Sequence, residues 1–256
     1  MSQDPSAELA ARQYDEGVTA FRRGDNDECR RLSEAAIRTA SAVWSEREQA
    51  LGHIGLSRAD FRDRAYAAGL RHAHKADELA TRCGADDVRI QAMHMRAELT
   101  RAQGDYAAAV PMYEQLLAAD EAAADNRALA MENYNLGSVL LQVGDLRAAR
   151  ARLECSLELV DADDVQQLSY TLLGFAGLLA REGNAEVAAR ILGAVKTHFD
   201  HVGEMLDPAE ELELSSHVDA ARLVDLDGYE ATYGVGATLS LAEARTLVSR
   251  AEQHPA

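Results

Sequence analysis

Between Met131 and Val160 apolar residues recur at helical spacing on either side of a turn. Leu136, Gly137, Leu140 and Leu141 form one stripe, and Leu146, Ala149, Leu153 and Leu157 form a second. Gly144-Asp145 separates them, so the stretch predicts two antiparallel helices. Gly137 and Ala149 fall one on each helix, and both are small enough to let the backbones approach. One such hairpin leaves an apolar edge that only similar neighbours can bury.

The pattern recurs along the chain. Asp4-Pro5 reads as a helix start, and that helix runs to about Arg23 before the turn Gly24-Asp25. Gly17 and Cys29 form its small pair, with the same separation as Gly137 and Ala149. Trp44 opens a second, degenerate hairpin with helices over about 45–59 and 63–82, whose turn register stays open because Asp60-Phe61-Arg62-Asp63 replaces a clean Gly-Asp. The third starts near Asp86 and turns at Gly104-Asp105, pairing Ala97 with Ala109; Pro111 falls early in its second helix, where the lost donor is tolerated. The fifth starts near Asp163, turns at Gly183-Asn184 and pairs Ala176 with Ala188. Turns at 104, 144 and 183 give periods of 40 and 39, and the turn at 24 leaves two such periods to 104. Five hairpins near 6–41, 45–83, 86–122, 126–161 and 163–203 therefore form a repeat array over 1–206.

The tail, 207–256, departs from the repeat. Asp207-Pro208 starts a helix to about Leu226, DGYEATYGVGA reads as a loose connection, and Ser240-Leu241-Ala242-Glu243 is a capping box opening a last helix to about Glu252. Terminal units of a stack must shield its apolar end, so this segment is expected to cap the fifth hairpin with Leu212, Leu223, Leu241 and Leu247 inward. The expected fold is all-α, about twelve helices in a right-handed superhelical solenoid.

Asn135-Leu136-Gly137, Gly144-Asp145, Ala149 and Leu157, with Gly17, Phe21 and Gly24-Asp25, resemble tetratricopeptide repeats. From Leu172, LLGFAGLLAREGNAEVAARILGAVKTHFDHVG followed by DPAEELE and LSLAEARTLV resembles the C-terminal, tetratricopeptide sensor region of large actinobacterial transcriptional regulators of the LuxR and SARP types. That resemblance covers about residues 126–252 and implies a helical sensor or interaction region. DNA binding and ATP hydrolysis do not carry over, because the chain holds no GxxxxGK[ST] and no room for a separate DNA-binding domain.

The formal charge of −17 repels a nucleic-acid backbone, and it permits a basic partner, though solubility explains the same charge more simply. Cys29, Cys83 and Cys155 form no CxxC, so neither a disulfide framework nor a zinc cluster is expected. The N-terminus has no basic, apolar leader and no stretch approaches the ~20 apolar residues of a membrane span; a cytoplasmic location is the expectation. HExxH, GxSxG and a complete GxGxxG are missing, Gly234-Val235-Gly236 being only a fragment of the last. His198, His201 and Glu204 share a helix face, yet read better as solvated polar residues than as ligands; His72 and His74 point apart. No cofactor and no enzymatic activity are expected.

Stacked tetratricopeptide hairpins line a concave groove with their first helices. The resemblance therefore makes Tyr14, Gln49, His53, His94, Glu98, Arg101, Tyr134, Ser138, Gln142, Tyr170 and Arg181 the exposed groove positions. Tyr and Arg suit recognition. The expected function is a non-catalytic protein- or peptide-binding scaffold of regulatory kind, with a homodimer left open. The alternative is a small-molecule sensor whose pocket lies between groove helices.

Overall fold

The computed structural model describes residues 5–161, 163–203, 206–224 and 228–253. Among these the regular structure is helical throughout. In order the helices are α1 (Pro5–Arg22), α2 (Asn26–Ala42), α3 (Glu46–Arg62), α4 (Tyr66–Cys83), α5 (Asp86–Ala102), α6 (Tyr106–Ala123) and α7 (Asn126–Val143). There follow α8 (Leu146–Leu159), α9 (Val165–Arg181), α10 (Ala185–Val202), α11 (Pro208–Val224), α12 (Tyr229–Gly236) and α13 (Leu241–Gln253). The expected cap at Asp4, the last residues expected of the helix to Leu226, and Glu204 lie outside the described residues.

The turns follow a regular beat. Left-handed residues fall at Gly24, Trp44, Arg64, Gly84, Gly104, Ala124 and Gly144, one constant step apart, and again at Gly183 and Gly203. Each ends one helix. At Gly144 (φ 85°) the left-handed residue closes α7, and Asp145 caps α8 by accepting the Ala148 N–H at 3.0 Å. Asp25, Asp105 and Asn184 cap the second helices of their hairpins in the same way.

The second hairpin corrects the sequence reading. Its turn lies at 63–65, not at 60–63, because α3 continues through Phe61 and Arg62. Arg64 takes the left-handed position (φ 59°) that glycine holds in the turns within the other hairpins, at 24, 104, 144 and 183, and Ala65 supplies no side-chain cap. With that register the hairpin regains its small pair, Ser57 and Gly69, whose contact includes a hydrogen bond from Ser57 Oγ to Gly69 O of 3.0 Å.

The chain groups into two compact units, residues 1–112 and 113–256, with the boundary inside α6. In the first, α1 to α5 pack as sequential neighbours, and α1 also meets α3 as α3 meets α5. Its core includes Ala10, Cys29, Ala36, Ile54, Ala59 and Leu99, all fully buried. In the second, α7 packs on α8, α8 on α9 and α9 on α10, and α7 also meets α9. Leu153, Leu172, Phe175, Ile191 and Leu192 centre its core.

The tail packs on α9 and α10. Its composition of helices and its buried side differ from expectation. The segment read as a loose connection contains α12, whose backbone crosses α10 at two glycines: a Cβ on Gly236 would lie 2.2 Å from Arg190 O, and one on Gly193 2.3 Å from Tyr233 O. Leu212 and Leu223 are exposed; Ala209, Glu213, His217 and Ala221, spaced one helical turn after another, form the buried side of α11. His217 fits there because Gly177 of α9 leaves room for its ring. Leu241 is buried and Leu247 half-buried, as expected. The capping box forms, with Ser240 N donating to Glu243 Oε2 at 2.8 Å and Glu243 N to Ser240 Oγ at 3.3 Å.

Candidate partner-binding face

The first helices of neighbouring hairpins touch one another within each unit, so their facing side chains form rows across the repeat. In the first unit Arg58 Nη1 of α3 donates to the Tyr14 hydroxyl of α1 at 2.8 Å. That hydroxyl donates to Gln91 Oε1 of α5 at 2.9 Å, and the Arg58 guanidinium sits 5.8 Å from the Tyr14 ring centre. Three successive first helices are thereby tied by one polar chain. Arg58 and Gln91 were not among the expected groove residues. Arg58 holds the repeat position that Glu98 holds in the next hairpin, and Glu98 was expected; a correct register for the second hairpin would have found it.

The second unit has a matching arrangement. Arg181 of α9 donates from Nη2 to Gln142 Oε1 of α7 at 3.3 Å and to Ser216 Oγ of α11 at 3.4 Å. Its Nη1 donates to Gly177 O at 3.2 Å and meets His217 Nδ1 at 3.1 Å. Again one guanidinium bridges three helices that follow one another in a row.

The expected groove residues divide into two groups. Gln49, His53, His94, Glu98, Gln142 and Arg181 are half-buried and reach the surface of the row. Tyr14, Arg101, Tyr134, Ser138 and Tyr170 were expected to be exposed and are buried, at 8%, 1%, 0%, 1% and 7% exposure. Within each unit a side chain on this face packs against the first helix beside it. Tyr134 and Tyr170 lie with ring centres 5.8 Å apart, and Tyr170 meets Phe199 at 5.4 Å. They form an aromatic run inside the unit. Arg101 pairs with Glu98 at 3.5 Å.

His53 belongs to a cluster of its own. Its Nδ1 lies 3.0 Å from Nδ1 of His72, so one ring donates and the other accepts. The rings stack at 5.2 Å. Burial, then the neighbouring His72 and Lys75, push the His53 pKa down to about 4. Burial also lowers His72, against the pull of Asp60. Asp60 is itself buried and holds Arg30 Nη1 at 2.8 Å. The pair is therefore a neutral, hydrogen-bonded contact between α3 and α4.

Other expected chemistry does not converge. His198 is half-buried and His201 exposed. Among the described residues no group of three or more His, Cys, Asp or Glu side chains is arranged to hold a metal ion. Among them, too, no helix is long and apolar enough to cross a membrane. No protein-family model matches the chain, and no curated protein matches it.

Proposed function

We propose that this protein is a tetratricopeptide-like solenoid that binds a protein or peptide along its first-helix face and performs no catalysis. The observation that carries the reading is the pair of arginine-centred rows, Tyr14–Arg58–Gln91 and Gln142–Arg181–Ser216. In each, side chains from three alternate helices, half-buried apart from the buried Tyr14, are held in fixed geometry. Groups ordered beforehand lose little freedom when a partner arrives. The charge of −17 favours a partner with basic segments and speeds its approach. A regulatory role, in transcription or signalling, follows from the resemblance of residues 126–252 to the sensor region of large regulators.

The test is site-specific photocrosslinking in the native host. A photoreactive side chain at Gln91, in the row of the first unit, or at Gln142, in that of the second, should capture a partner. The same group at Arg38 or Glu186, exposed on second helices, should not. Equal capture from both faces, or none from the first, would remove this reading. Turnover of a small substrate, abolished by a point substitution, would overturn the non-catalytic assignment.

A further inference from the structure

Helix α8 stops early. The other second helices, α2, α4, α6 and α10, have 17 or 18 residues, whereas α8 has 14. The missing stretch is about one turn, or roughly 5 Å of helix. Where it would have run, a cleft of about 590 Å³ opens between the start of α7, the end of α8 and the start of α9.

Gln167 is part of the cleft wall and is only 2% exposed. Among the described residues, neither its amide oxygen nor its amide nitrogen has a hydrogen-bond partner. Its backbone N–H is satisfied by Asp164 Oδ1 at 3.0 Å, so the unmet groups belong to the side chain alone. Folded proteins leave few buried polar groups in that condition. The wall thus holds a donor and an acceptor that no described residue meets, both closed to solvent until the side chain turns toward the cleft.

The mouth is negative. Asp161, Asp163 and Asp164 line it. Arg127 Nε already rests on Asp164 Oδ2 at 2.9 Å, which leaves the other two carboxylates without a cation among the described residues. Asp161 accepts the Asp163 N–H at 3.1 Å, and both residues are exposed. The C-terminus of α8 adds the negative end of its dipole and has no basic residue in its last turn.

A negative mouth in front of an unmet amide suits a ligand with a cation at one end and an amide at the other. The geometry points to a binding site for an arginyl group, its guanidinium on Asp161 and Asp163 and its flanking amide on Gln167. A planar fork matches carboxylates better than an ammonium does, and Arg127 shows a guanidinium seated in this mouth. The group arrives either as a free arginine derivative or as a side chain of a peptide. The site is separate from the first-helix rows: Asn126 beside it and Gln142 stand about 24 Å apart along α7 at ~1.5 Å per residue. Failure here therefore leaves the partner-binding proposal standing.

Calorimetry on the intact protein tests it, with N-acetyl-arginine amide, its neutral citrulline counterpart, and acetyl-Gly-Arg-Gly-amide. The arginine compounds should saturate one site, weaken as salt is raised, and bind about tenfold or more tighter than citrulline, since a charged hydrogen bond is at stake. Tighter binding of the peptide assigns the arginine to a protein partner; equal binding assigns it to a small molecule. Gln167→Leu should bind about tenfold more weakly while its Tm holds or rises, because an unmet amide has been removed. The double variant Asp161→Asn, Asp163→Asn should lose the preference for arginine over citrulline and keep its Tm. No saturation with either arginine compound, equal binding of citrulline, or unchanged binding by Gln167→Leu would each overturn the site. So would a clear fall in the Tm of Gln167→Leu, which would mean the amide serves the fold.

Discussion

Gly137 of α7 lies directly against Leu153 of α8: a Cβ on the glycine would come within 2.9 Å of the leucine Cγ and 3.5 Å of Ala149 O. The close approach fixes how this hairpin crosses. Gly137→Leu should therefore destabilise the protein by roughly 1–3 kcal/mol or more through overpacking. Denaturant unfolding checks this, and an unchanged midpoint would mean the crossing is placed wrongly.

The α10–α12 contact is tighter still, because backbone meets backbone at Gly193 and Gly236. Backbone cannot swing aside as the end of a side chain can. Gly236→Ala should cost about 1–3 kcal/mol. It should also raise amide hydrogen exchange in α12 before it does so in α7 or α8. Exchange rising evenly through the unit would contradict a locally held α12.

Tyr134 is fully buried and contacts Tyr170. Tyr134→Ala should lose about 3–5 kcal/mol, the range for removing a large aromatic side chain from a core. Thermal unfolding will show the loss. Weakened partner binding in that variant would thus report on folding, which is why Gln91 and Gln142 are the better probes of the face.

Arg64 holds a left-handed conformation that costs a residue with a Cβ about 1–2 kcal/mol. Arg64→Gly should recover part of it and raise stability by up to about 1 kcal/mol, the greater freedom of glycine in the unfolded chain offsetting the rest. A fall of similar size in urea titrations would show that the arginine side chain matters more than its backbone.

His53 gives the fold an acid-sensitive contact. Its folded pKa of about 4 lies below the ordinary 6.5, so the folded state prefers the neutral ring. Above pH 6.5 that contribution is fully present. As pH falls from 6.5 toward 4 the unfolded chain takes up the proton first, and stability is lost. His53→Gln should flatten the Tm profile between the two values. A variant whose acid profile overlays the wild type would remove His53 as the cause.

Helix phase and turn chemistry were readable wherever glycine marked the turn, as at Gly104 and Gly144. They failed at Arg64, because no residue type announces a left-handed arginine and only the repeat period would have located it. The tail misled for another reason. Tyr229 to Gly236 carries the glycines of a loop, yet Gly236 serves a backbone crossing that only the partner helix α10 reveals. On the candidate face, residue types were legible and their exposure was not. Burial of Tyr134 and Tyr170 depends on which first helices lie alongside, and that is a property of neighbours distant in sequence.

The beat of left-handed residues sets the lengths in which this chain can be edited. One helix and its turn make a single step, as from Gly84 to Gly104, and each step reverses the chain direction. Inserting one step would therefore exchange first helices for second ones from there on. Two steps restore the parity. Within a unit, duplications or deletions that keep the row of first helices continuous come only in whole helix pairs, such as the interval from Gly24 to Arg64. The interval from Gly144 to Gly183 falls a single position short of that quantum. The discrepancy falls where α8 ends early beside Asp161, so the array takes up a change in length at a helix end and passes the phase on intact.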